Sequence, residues 1–309
     1  MNLHIERSSL TIVGTLLLLI VGGFTLFQRR SATCPTHCDY RLKTPKAISC
    51  ATFQGRADRE LMERLRALET TEVAASVDSF LVKPLCDDVN TRSLAVDAVE
   101  VTDTQLSSLH SIVMDCSRVL HVPHVPRVFV SERPELLIAV ENLSDPVIVI
   151  HASFLSRFQN EREQRFLVGR EFGHIMAGHV RWQTLLRGIQ SRVKRTGVGA
   201  FPFKVALLPF LEWTREAEMS ADNAGLICAQ DITSAEMALV RLATGIDDSA
   251  LHDIKVDEYL KQADSHSLSD FSGVALSWKE LSKPAPFTAN RISQLREFEH
   301  SDGYRRLWE

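Results

Sequence analysis

The chain lacks a basic excess. Its 35 Lys and Arg are outnumbered by 39 Asp and Glu, for a formal net charge of −4. No basic stripe interleaved with aromatics runs through it, so the electrostatic footprint of a nucleic-acid binder is missing and no nucleic-acid partner is expected. Cysteine is sparse as well. Six residues (Cys34, Cys38, Cys50, Cys86, Cys116 and Cys228) spread over 309 positions are too few for a disulfide-stapled scaffold. Internal repeats and low-complexity tracts are absent. What is there is an ordinary globular composition, 45% hydrophobic and 24% charged, with room for one large domain or two small ones.

The N-terminus departs from that composition. Leu10 to Phe27 is an uninterrupted uncharged run, just long enough to span a bilayer core. A cleaved signal peptide is the rival reading. The run is long for such a segment, and Gln28-Arg29-Arg30 follows it where a small-residue cleavage site would stand. The expectation is therefore an uncleaved single-pass anchor with the lipid bilayer as a partner. Arg29, Arg30, Arg41, Lys43 and Lys46 outweigh Arg7 beside Glu6, which leans the C-terminal domain toward the cytoplasm. Cys34-Pro-Thr-His-Cys38 reads as a juxtamembrane loop with two thiols, with a disulfide or metal clip as the alternative.

Residues 31 to about 50 carry Pro35 and Pro45 and read as a linker. Apolar residues at helical spacing predict amphipathic helices over 57–68 and 104–120. Three β-type runs follow, 127–131, 136–140 and 146–151, separated by turn residues, and predict a small, mostly antiparallel sheet. A short helix is expected over 152–158. Asn160 then caps a long helix expected to run to about Leu186. The apolar stretch 198–211, broken by Pro202, Lys204 and Pro209, is too short and interrupted to span a membrane and reads as a buried connection, with contact at the bilayer surface as the alternative.

Inside the long helix lies Arg170-Glu-Phe-Gly-His174. With one letter changed this is H-E-x-x-H, in which two histidines a helical turn apart bind zinc and the glutamate is a general base. Arg170 and His174 share one helical face. An arginine, however, is always charged and has no lone pair for a cation. Some 44 residues after His174, Glu218 and Asp222 stand four apart on another helix. Alone that spacing means little; its place after the first motif is what gives it weight.

These blocks resemble the membrane-associated zinc metallopeptidases that include HtpX and the CAAX prenyl proteases. Pro146 to Leu155 is similar to the strand and short helix before that family's catalytic helix. Arg170 to His179 is similar to H-E-L-G-H with a further Gly-His, Glu218 to Asp222 to the E-x-x-A-D block, and Pro286 to Arg291 with Leu295 to a terminal H-P-x-x-x-x-R block. The resemblance implies an α+β, mainly helical zincin-like peptidase domain with a small mostly antiparallel sheet, preceded by one N-terminal transmembrane helix. The expected division is an anchor over 1–30, a juxtamembrane linker and amphipathic helix over 31–84, and the peptidase-like domain over 85–309. By the same resemblance Glu171 would take a proton from zinc-bound water. His174 and Glu218 would ligate the single zinc, Asp222 would orient a ligand, and Arg291 would be a buried structural or substrate-proximal cation. A polypeptide substrate or peptide ligand would lie along an edge strand near 147–151.

The chain departs from the family pattern at two positions: Arg170 fills the first ligand position, and Ala285 stands where histidine precedes the proline. His179, five residues past His174, would point about 140° away on a continuous helix, and His151 is an upstream candidate without support. Two functional readings follow. One is a zinc endopeptidase with an incomplete or replaced ligand set. The other is a pseudopeptidase that binds peptides, with Arg170 pairing with Glu218 or Asp222 in place of the metal's charge.

Overall fold

The computed structural model describes residues 42–69, 94–132, 137–141, 145–184, 186, 200–247, 250, 253–266 and 285–309. Contacts divide the chain into residues 1–42 and residues 43–309. The uncharged run 10–27 and the Cys34/Cys38 pair lie outside the described residues. Among the described residues no helix is long and apolar enough to cross a membrane.

The helices are α1 (Cys50–Phe53), α2 (Arg56–Glu69), α3 (Ser107–Val119), α4 (Ser153–Arg157), α5 (Glu161–Ala177), α6 (Ala200–Ala229), α7 (Ile232–Thr244), α8 (Val256–His266), α9 (Thr288–His300) and α10 (Asp302–Arg306). The strands are β1 (Val99–Glu100), β2 (Arg127–Ser131), β3 (Ile138–Glu141) and β4 (Val147–His151). The domain is mainly helical, as expected. Its sheet is small and mixed: two of the three pairings are antiparallel and the central one is parallel. The order is β1-β2-β4-β3, with β2 parallel to β4 and the outer pairings antiparallel. The reason is topological: β3 is laid down on the far side, and the chain returns from it to insert β4 beside β2. β4 is thus an interior strand with both edges taken, and the edge expected near 147–151 belongs instead to β3. Val128, Val130, Ile148 and Ile150 are all buried, as suits strands covered by helices.

α5 is buried on nearly every side, so its apolar residues form no single stripe. The Asn160 side chain accepts the Arg162 N–H, the expected cap. The helix does not run on to Leu186. Gly178 adopts the left-handed conformation (φ 75°), its N–H closing on His174 and Ile175 carbonyls, and the chain restarts as a new helical segment from His179. The stretch read as a buried connection is instead the first third of α6, which continues helical through Pro202 and Pro209. Pro202 sits in the first turn, where its missing N–H costs nothing.

α5 packs most extensively on α6 across a seam of small residues. A Cβ at Gly173 would meet the Ala224 Cβ at 2.7 Å. One at Gly225 would lie 2.6 Å from the Phe166 carbonyl oxygen and 2.8 Å from the Arg170 Cγ. The helices therefore approach as closely as glycine allows, which sets residue 170 beside residues 218 and 222. Gly225→Ala is expected to destabilise the domain by about 1–3 kcal/mol, because the blocking atom is backbone and cannot swing aside. Chemical denaturation compared with Ala224→Gly, at a seam position without that clash, checks it.

Candidate functional site

The site lies between α5, α6 and the start of α9. Residues 170, 171 and 174 come from α5, 218 and 222 from α6, and 291 from α9. Arg170 is 6% exposed, Glu171 5%, His174 3%, Asp222 0% and Arg291 8%, so nearly all of this charge is withdrawn from water.

Arg170 takes both α6 acids of the site, Glu218 and Asp222. Its Nε donates to Asp222 Oδ1 at 2.6 Å and its Nη2 donates to Glu218 Oε2 at 2.5 Å. Arg291 donates to the same Asp222 from Nε at 2.8 Å and from Nη2 at 2.7 Å, a bidentate fork. Glu171 lies on the near side, its Oε1 3.8 Å from Arg170 Nη1. His174 turns Nε2 toward Glu218 Oε1 at 3.5 Å. The structure thus brings together every residue singled out from the motifs. It also realises both pairings anticipated for Arg170.

His179 is where reasoning from the sequence failed. Because α5 ends at Gly178, His179 is not carried 140° away; its Nδ1 lies 3.0 Å from His174 Nδ1, and its Nε2 lies 3.0 Å from Asp58 Oδ2. Trp213 Nε1 donates to Asp58 Oδ1 at 3.1 Å. Gln183 sits between His174 Nδ1 (3.3 Å) and Glu218 Oε1 (3.5 Å). Asp58, His179, Gln183 and Trp213 were not singled out as site residues. One signal for Asp58 was available: it shares a helical face with Met62 and Leu65, an acid on an apolar stripe. His151 bonds to Ser153 Oγ at 2.8 Å.

The electrostatics follow from burial and pairing. Burial by itself would raise the Glu218 carboxyl; the charge of Arg170 and the contacts with His174 and Arg291 outweigh it and hold the group well below the usual carboxylate range. Burial by itself would lower Arg170, but the Asp222, Glu218 and Glu171 carboxylates reverse that and fix its charge. Burial dominates at His174 and lowers it, which keeps the ring neutral near pH 7. At Asp58 the hydrogen bond and charge of His179 overcome burial and keep the carboxylate ionised.

A zinc ion does not fit these residues as they stand. The first ligand position carries a guanidinium without a lone pair. Glu218 and Asp222 are engaged by guanidinium N–H groups, so of the positions the family resemblance assigns to ligands only His174 is not held by a cation, short of the three protein ligands a catalytic zinc requires. Among the described residues no group of three or more His, Cys, Asp or Glu is arranged to hold a metal. Beside Arg291 a cleft of about 340 Å³ opens between Leu242, Ala243 and the Ala285–Thr288 turn.

The sequence profile of Peptidase family M48 matches residues 103–299, more than half of the chain. The chain belongs to peptidase family M48. The plastoglobule-localized metallopeptidase 48 of the Arabidopsis thaliana chloroplast is 28% identical over 223 residues, 68% of this chain and 62% of the relative. The chain therefore spans less than two thirds of that curated relative's length. No solved structure matches. M48 membership implies a metallopeptidase lineage, with zinc as its usual metal and polypeptides as its substrates. The expectation of a single-pass membrane protein with a cytoplasmic C-terminal domain is overturned. No described helix can cross a membrane, and the M48 relative is named for plastoglobules in the chloroplast.

Arg170→Met, which keeps the stem and removes the charge, is expected to cost about 3–5 kcal/mol, because it leaves the fully buried Asp222 and the part-buried Glu218 with one guanidinium fewer. In a Glu218→Gln background the same change should cost less. The sign with pH is set by the depressed Glu218. Its contribution is complete above the unfolded carboxylate value of about 4.3 and is lost as pH falls toward the lower folded value. Urea denaturation of the four chains between pH 7 and 3 reads both effects.

Proposed function

We propose that this chain is an M48 peptidase fold of the HtpX and CAAX-protease type whose catalytic centre has exchanged zinc for an arginine, and that it binds polypeptide without zinc-dependent hydrolysis. One observation carries the reading: the Arg170 guanidinium donates to Glu218 and Asp222 at once, at 2.5 and 2.6 Å. Those are the two carboxylates that family resemblance assigns to ligating and orienting the metal. A planar, permanently charged fork neutralises them and offers no open position for a water to be activated.

Polypeptide binding survives this exchange because it needs no metal. β3 pairs with β4 on one side, and its other edge carries no strand among the described residues. An extended peptide can add there by backbone hydrogen bonds. The cleft of about 340 Å³ beside Arg291 has room for a side chain of a bound peptide.

A working metalloendopeptidase is the second reading, favoured by Glu171, which stays buried at the general-base position although no metal requires it. One experiment separates the two. The native chain is expected to carry no stoichiometric zinc by elemental analysis and to leave an unfolded casein substrate intact, while Arg170→His acquires zinc. Native zinc together with cleavage that Glu171→Gln abolishes would establish the enzyme instead.

A further inference from the structure

Helix α2 lies upstream of the family-matched residues 103–299, yet it supplies a group that reaches the site. Asp58 is fully buried on its inner face. The same face carries Met62 and Leu65, which cluster with Trp182 and Trp213. That apolar contact docks the helix against α6. A buried carboxylate adds nothing to docking and costs desolvation unless specific partners satisfy it. Asp58 has such partners in Trp213 Nε1–H at 3.1 Å and His179 Nε2 at 3.0 Å.

The far nitrogen of His179 continues the path. Its Nδ1 meets His174 Nδ1 at 3.0 Å, and His174 Nε2 faces Glu218 at 3.5 Å. An unfixed imidazole can turn over about its Cβ–Cγ bond, exchanging nitrogen for carbon at each edge. Anchoring Nδ1 through a second ring, itself anchored by a carboxylate, removes that freedom. The logic is that of the carboxylates that orient functional histidines elsewhere. We infer that Asp58 is a positioning residue of this site, acting through His179 to hold the His174 ring with Nδ1 turned toward His179 and Nε2 turned toward Glu218. The inference deepens the arginine-centred reading, since His174 helps keep Glu218 against Arg170, but it rests only on geometry that both functional readings share.

The test uses the full chain with 15N-labelled histidine and long-range 15N–1H NMR, which reads protonation and tautomer at each imidazole nitrogen. Asp58→Asn is nearly isosteric and keeps an acceptor for Trp213. It is expected to shift both His179 nitrogens and to convert a single His174 tautomer into a mixture, with the backbone amide spectrum otherwise unchanged. Asp58→Glu, which retains the carboxylate, is expected to restore the native His174 pattern. A purely structural Asp58 would move stability and leave the imidazole nitrogens alone, so an unchanged His174 in folded Asp58→Asn overturns the inference. Should that variant not fold, His179→Gln is read at His174 alone, and an unchanged His174 there is equally fatal. Zinc found on the native chain would sink the proposed function while leaving this result readable.

Discussion

The contact on which the site depends is the Arg170 guanidinium held between Glu218 and Asp222. The Asp222 carboxylate and the guanidiniums of Arg170 and Arg291 are withdrawn from water together, with Glu218 part-buried beside them, and such a group is tolerable only as a set. Glu218 and Asp222 each have a donor at hydrogen-bond distance, and Asp222 receives both arginines at once. A lysine in place of Arg170 would bring the same charge but only a point donor. The fork is what reaches two carboxylates in fixed directions.

That contact presupposes the α5–α6 seam. Residues 169, 173 and 225 have no side chains to hold the helices apart, and a Cβ at Gly225 would collide with the Phe166 carbonyl oxygen. The closeness places Arg170 Cγ against α6 with its head group level with the turn from Glu218 to Asp222. Packing and electrostatics are therefore one constraint seen at two positions along the same helix pair. Arg291 adds the third side: by occupying one edge of Asp222 bidentately, it leaves Oδ1 turned toward Arg170.

Local rules read well here where local physics decides. The Asn160 cap, the β-branched runs that became β2 and β4, and the one-turn spacing of 170/174 and of 218/222 depend on neighbours in the chain, and each is present in the structure. What eluded the sequence depends on partners far away or on a single backbone torsion. Strand order cannot be taken from strand content, so β4 was assigned an edge it does not have. One left-handed residue, Gly178, turned the geometry of His179 around. The signal was there in the glycine, since a glycine next to the end of a periodic stretch is a common helix stop. Asp58 was legible only as an anomaly, an acid on the apolar stripe of an otherwise ordinary amphipathic helix.

The separation between lineage and chemistry has a physical basis in where each is stored. The family match covers 103–299, and within that range lie features that the fold needs, namely the small-residue seam, the covered strands and the acid that α9 ties down through Arg291. None of these involves the identity of the head group at position 170 beyond its being a cation. Metal chemistry, by contrast, rests on lone pairs, and on the reading proposed above an arginine at position 170 offers none while its own guanidinium places positive charge between Glu218 and Asp222. A neutral residue there would leave the buried Asp222 and the part-buried Glu218 with Arg291 as the remaining guanidinium against both. Arginine is the side chain that can abolish the ligand without disturbing the balance, which is why so much of the surrounding arrangement, Glu171 and His174 included, stands in place around it.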